Sequence, residues 1–173
     1  MKKKSGFTLL ELLITVALIA VVTALAIPGM STFSKNDRLT TNINTMIGHL
    51  AYARSEAVKS SAQVSICASS DAANCTGGNW EDGWIVYVDS DSNGSFSEDI
   101  ANGEVILRAN QAMDGGNKFS PTANYASQVT YDNRGFVTAT GGFLLCDNRN
   151  GAFGKTITIS NTGRVRFQDN SAC

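Results

Sequence analysis

The 173-residue chain has one histidine, two prolines and no C-x-x-C pair, and each scarcity excludes something. A lone His49 inside a helical stretch cannot build a histidine-rich metal set or a nucleophile–base pair, so nothing here supports an enzyme. None of the four cysteines has metal-ligand spacing. No internal repeat is present, which removes solenoid architectures. A basic surplus is missing as well. The formal charge is −1, and without Lys2, Lys3 and Lys4 it becomes −4, so the whole molecule is not an obvious polyanion binder.

Charge is also missing from one long stretch. No charged side chain occurs from Leu12 to Met30. About 20 such residues at ~1.5 Å each cross a hydrocarbon core of ~30 Å. Lys2, Lys3 and Lys4 precede it and predict a cytoplasmic N-terminus with the remainder exported. Glu11 sits near the start of this span, and positions 7, 8, 14 and 15 (Phe, Thr, Ile, Thr) offer it no cation. A carboxylate there costs up to ~2.5–3.5 kcal/mol, which calls for a partner from outside the helix. Cleavage between Gly6 and Phe7 would create an α-amino group able to serve on a neighbouring chain. An ordinary secretory signal has its cleavage site after the apolar run, whereas here the glycine precedes it.

Gly6-Phe7-Thr8-Leu9-Leu10-Glu11-Leu12-Leu13 resembles the class III signal of type IV pilins and type II secretion pseudopilins. The resemblance implies cleavage after Gly6 by a prepilin peptidase, methylation of Phe7, and docking of subunits into a filament through Glu11. Pro28 falls where that family has a helix-kinking proline, and Pro28-Gly29 reads as a kink or local melting point. Three further strings, Tyr52 to Lys59, Trp80 to Asp89 and Ser160 to Arg166, are similar to the FimT/GspH (FimU-like) group of minor pilins and pseudopilins. Implied partners are other minor and major pilins, the prepilin peptidase and the inner membrane, with a single-pass anchor, a periplasmic head and later display on a pilus.

The expected organisation is a leader 1–6, a transmembrane helix 7–30, its amphipathic continuation 31–60 and a β-rich head 61–173. Leu39, Ile43, Met46, Ile47, Leu50, Ala53 and Ala57 recur at three- and four-residue spacing, one apolar stripe. After Ser60 short β-branched and aromatic runs predict strands at 63–67, 84–88, 104–108, 128–131, 135–138, 142–146, 155–159 and 164–167. Asn, Asp and Gly punctuate them. The fold class is α+β, a long helix packed on antiparallel β-sheets. Segments 69–79 and 110–124 read as polar loops. Trp80 and Trp84 read as core aromatics, and His49 as a helix-packed histidine. In an exported domain Cys67, Cys75, Cys146 and Cys173 form two disulfides, with three possible pairings. Cys67–Cys75 with Cys146–Cys173 is favoured, the first closing a short polar loop and the second pinning the C-terminus.

Charge is sorted along the chain. Residues 71–114 carry nine acids against Arg108, a net −8, whereas 116–173 carry six bases against three acids, a net +3. Within the second stretch, Gly163-Arg164-Val165-Arg166 follows a bend at Asn161-Thr162-Gly163. Period two puts Arg164 and Arg166 on one face, about 7 Å apart, the spacing of successive phosphates to order of magnitude. Some FimT-type minor pilins bind DNA for natural transformation through Gly-Arg-x-Arg, which the resemblance carries to Gly163, Arg164 and Arg166. Arg149, Lys155, Arg134 and Lys118 extend the patch by charge sorting alone. The same arginines also suit simple solvation of an outer strand or contact with a neighbouring subunit. Binding would be to double-stranded DNA, salt-sensitive and blind to sequence. A pseudopilin of a type II secretion system, or a pilus-priming subunit without DNA binding, are the alternatives.

No cofactor is expected, with one qualified candidate. Asp89, Asp91 and Asn93 followed by Gly94 resemble the start of a calcium loop. Position twelve is Ile100 where a bidentate acid belongs, with Glu98 or Asp99 as substitutes. The alternative is an acidic Asn-Gly turn.

Overall fold

The structure is a computed structural model that describes residues 6–96, 103–113 and 115–173; the side chains of residues 25–29 lie outside the described set. Lys2, Lys3 and Lys4 of the leader and Glu98, Asp99 and Ile100 of the calcium-like loop also fall outside it. The chain divides into two compact units, Met1–Asp37 and Arg38–Cys173. One helix, α1 (Leu9–Ser60), contributes to both.

In the first unit Thr8 caps α1. Its Oγ1 accepts the Glu11 N–H at 3.2 Å and its carbonyl accepts the Leu12 N–H at 3.2 Å. Thr8 and Glu11 thus hold the places of a capping pair, with the acid at the positive end of the helix dipole. The apolar side chains that follow are exposed, Leu12 at 58% and Val22 at 65%. Among the described residues, no helix is long and apolar enough to cross a membrane.

Among the described residues, the second unit holds α1 from Arg38 onward and eight strands. These are β1 (Gln63–Ala68), β2 (Trp84–Asp89), β3 (Val105–Asn110), β4 (Lys118–Pro121), β5 (Gln128–Tyr131), β6 (Gly141–Cys146), β7 (Gly154–Ile159) and β8 (Val165–Ser171). They form two four-stranded sheets, β3-β2-β1-β5 and β4-β6-β7-β8. Every pairing is antiparallel. Leu39, Ile43, Met46, Leu50, Ala53 and Ala57 form the buried stripe of the helix. They share one core with Val64, Ile66 and Val86 of the first sheet and Phe143, Leu145 and Ile157 of the second. Fully burying a side chain of Leu or Ile size contributes roughly 1.5–3 kcal/mol, so this stripe fixes the helix against the strands.

Aromatics fill the space between layers. The Phe143 ring meets Trp80 edge-on at 4.9 Å, Phe119 at 5.8 Å and stacks with Tyr125 at 5.7 Å. Each buried indole finds an acceptor: Trp80 Nε1 donates to the Tyr125 carbonyl at 3.0 Å, and Trp84 Nε1 to His49 Nδ1 at 2.7 Å. His49 is therefore a packed acceptor, its pKa lowered first by burial and then by Arg108.

Two segments depart from the sequence reading. β4 lies inside the stretch read as a loop; it is short, polar at Lys118 and Ser120, and ends in Pro121, tolerated because β4 is an edge strand. Conversely, 135–138 is not a strand and makes a single bridge, Tyr131 to Val137. Asp132 is the reason. Its carboxylate accepts the N–H groups of Arg134 and Phe136 at 2.9 Å each and winds the segment into a turn.

Candidate nucleic-acid interface

The Gly-Arg-x-Arg segment sits at the tip of the β7–β8 hairpin. Gly163 N–H donates to the Ser160 carbonyl at 2.8 Å, and Ser160 N–H to the Arg164 carbonyl at 3.0 Å, closing the turn. Gly163 has φ +73°, and a Cβ there would collide with the Gly135 carbonyl. Glycine is thus required both by conformation and by close approach. Arg54 of α1 makes that approach, its Nε donating to the same Gly135 carbonyl at 3.0 Å.

Arg164 precedes β8 and Arg166 is its second residue; both are exposed. Register pairs Arg166 with Thr158, and Phe167 with Ile157. Arg166 therefore shares the solvent face with Thr158, and Phe167 takes the opposite one. Among the described residues neither arginine makes an ion pair. Arg164 also borders a groove of about 560 Å³, whose far wall is Ala51, Ser55, Val58 and Lys59 of α1. Lys59 adds a cation, shared with Glu56 at 3.3 Å.

The other expected bases are placed differently. Arg134 occupies the turn packed on Gly163, with its guanidinium on Asp132 at 2.9 Å. Burial pushes the Asp132 carboxyl up, but hydrogen bonds from Phe136 N–H and Arg134 outweigh it, and its pKa is lowered. Lys155 is buried, bonds Asp169 at 2.9 Å, lies over the Phe167 ring and takes the face of Ile157, opposite Arg166. That hydrogen bond holds the Asp169 carboxyl below its ordinary value. Arg149 lies in the loop before β7, at the hairpin's other end, bonded to Asp147 at 2.6 Å and stacked on Phe153 at 4.3 Å. Lys118 is on β4, at the far edge of the sheet from β8. The three acids of 116–173 thus lie on three of its six bases, and the extended patch expected from Arg149, Lys155 and Lys118 is not assembled around the arginine pair.

Arg54 and Lys59 are basic residues near the turn to which the sequence alone assigned no role. Their signal was the string Tyr52 to Lys59, whose helical spacing does not show which loop it will face.

Gly6, Phe7 and Glu11 are exposed at the start of α1, and Glu11 has no cation beside it among the described residues. Disulfides join Cys67 to Cys75 and Cys146 to Cys173. In the acidic loop the exposed Asn93 side chain is held by its own turn: its Oδ1 accepts Ser95 N–H at 2.6 Å and its Nδ2 donates to Asp91 at 2.6 Å. Glu104 stands instead with Asp89 and Asp91. The buried Tyr87 hydroxyl next to them has its pKa raised by burial and then by Asp89, with Glu104 and Asp91 adding to it.

An N-terminal helix packed on antiparallel sheets, headed by a capped Phe-Thr-Leu-Leu-Glu motif, defines a type IV pilin-like subunit, a minor pilin or pseudopilin. Residues 42–163 match the family model described as type II transport protein GspH, and residues 1–27 match the prokaryotic N-terminal methylation motif. The chain belongs to the GspH family, one of structural pilin subunits. It is similar to the crystal structure of the type IV minor pilin FimU of Pseudomonas aeruginosa (strain PAO1) in space group P21. The TM-score is 0.64 at 22% identity, over 82% of this chain and 96% of that one. The same protein in space group P65 gives 0.58 at 22% identity, over 78% and 97%. No curated protein matched. The motif and fold point to an inner-membrane-anchored pilus subunit that associates with other pilins.

Proposed function

We propose that this chain is a non-enzymatic minor type IV pilin that joins a pilus, near its tip, and binds duplex DNA without sequence preference for natural transformation. Prepilin peptidase cuts after Gly6, the 7–30 segment anchors the subunit in a single pass, and Glu11 docks against the new N-terminus of a neighbouring pilin. The observation that supports DNA contact is the unequal state of the bases: Arg164 and Arg166 are exposed without an acidic partner among the described residues, while Arg134, Arg149 and Lys155 each hold one. A released condensed counterion per phosphate neutralised supplies the driving force. Two contacts predict a log–log salt slope near −1.8, using about −0.9 per contact on duplex DNA.

Gel retardation by the full chain in detergent, across a salt series, tests this. Arg164→Ala with Arg166→Ala should lose retardation and flatten the slope by about 2. Retardation equal to wild type refutes the assignment. The family description favours a second reading, a pseudopilin in type II secretion. A deletion strain assayed for transformation, piliation and exoprotein release separates the two.

A further inference from the structure

We propose that Asp89, Asp91 and Glu104 form a calcium site that joins the end of β2 to the residue leading into β3. One oxygen from each carboxylate falls within a sphere of mutual distances no greater than 4.8 Å. Three oxygens no more than 4.8 Å apart lie within about 2.8 Å of a common centre, close to the ~2.3–2.6 Å of calcium–oxygen bonds.

Like charges this close do not collect without cause, and two of the three are buried. Asp89 is 0% exposed and Glu104 7%. Gln63 Nε2, Ser65 Oγ and Gly94 N–H all donate to Asp89 Oδ2, at 2.9, 3.4 and 3.1 Å. Asp89 Oδ1 is buried with no hydrogen-bond partner. A buried carboxylate oxygen left unmatched is costly unless an ion takes it. A second, separate group tells the same story. Tyr87, two residues before Asp89 on the same face of β2, is fully buried, and its hydroxyl has no hydrogen-bond partner. Its strand neighbour on β1 is Ser65, whose Oγ reaches Asp89, so the hydroxyl belongs to the same pocket. An ion bringing its own water would give that hydroxyl a partner.

Glu104 comes immediately before β3, fifteen residues after Asp89. The linear calcium-loop pattern, which assigns Asn93 third, misses it. Binding would tie the end of β2 to the segment that leads into β3.

The test is titration calorimetry and thermal unfolding of the disulfide-intact full chain in detergent, first stripped with a chelator, then given calcium chloride or magnesium chloride. One calcium ion should bind with Kd of about 10⁻⁴–10⁻³ M, as in extracellular modules, and raise Tm with the logarithm of concentration above Kd. Magnesium should bind at least about tenfold more weakly. Asp91→Asn, at an exposed position, and Glu104→Gln should each weaken calcium at least about tenfold, and Asp91→Asn should keep the chelator-treated Tm at or above that of wild type, since it removes a charge that repels Asp89. Absence of heat and of a Tm shift in wild type at about 10 mM calcium, tenfold above that range, overturns the proposal. So does calcium binding by both variants at wild-type strength, or an equal response to magnesium.

Discussion

The two ends of the β7–β8 hairpin carry similar residues and have opposite electrostatic states. At the turn, Arg164 and Arg166 project into solvent beside a groove. At the open end, Lys155 is buried against Phe167 and Asp169, Arg149 lies under Phe153 on Asp147, and Cys146–Cys173 closes the chain terminus. Six residues of β7, about 20 Å at ~3.4 Å each, separate the two. The difference teaches that a count of bases along a sequence is not a count of available cations. A base with an adjacent aspartate contributes to the fold; one without is free for an external anion.

The largest break in this comparison should come from the closed end. Replacing Cys146 and Cys173 by serine opens a loop of 27 residues and should cost about 3–4 kcal/mol, read as a lower denaturant midpoint. DNA retardation by the fraction still folded should persist. At the turn, Gly163→Ala meets both a left-handed φ and the Gly135 carbonyl, so a loss of about 1–3 kcal/mol is expected, with DNA affinity falling as the arginines are displaced. Arg54→Ala should resemble it more weakly, because the carbonyl loses its donor.

Smaller effects sharpen the contrast. Lys155→Met removes an ion pair whose acid is half exposed and should cost about 0.2–1 kcal/mol, leaving the salt slope of DNA binding unchanged. The pH response of that pair has a definite sign. Asp169 has a lowered folded pKa, so its contribution is complete above the ordinary carboxylate value of 3.8 and is lost as pH falls through that region. Melting curves of wild type and Asp169→Asn between pH 7 and pH 3 should converge at the acid end. His49 acts in a higher window. Its lowered pKa means the unfolded chain takes up a proton first as pH drops below 6.5, so stability should begin to fall there, and less in His49→Gln. Least of all, Arg164→Ala with Arg166→Ala should shift stability by no more than about 0.5 kcal/mol, because neither side chain is buried.

Much of this was legible in the residues. The apolar stripe from Leu39 to Ala57 named the buried face of α1, since helical period is a local property. Strands dense in Val, Ile and Tyr, such as Trp84–Asp89, announced themselves in the same way. Illegible segments were those whose state depends on distant atoms. Lys118–Pro121 is a strand because Leu144 and Leu145 of β6 pair with Ser120 and Phe119, not because its own residues favour one. Phe136–Thr138 has strand-like residues, but the Asp132 carboxylate takes the N–H groups a ladder would need. The Thr8–Glu11 cap was readable from T-x-x-E and lay hidden behind the more conspicuous docking role of the acid.

By itself the sequence determined the methylation-type N-terminal motif, the fold class and the arginine pair, because each is written in neighbours along the chain. Only the tertiary structure decided which bases are neutralised, which helix residues face the Gly163 turn, and that Glu104 stands with Asp89 and Asp91. Those outcomes depend on strand register and loop closure, which bring together side chains far apart in sequence, and no local pattern encodes the distance between them.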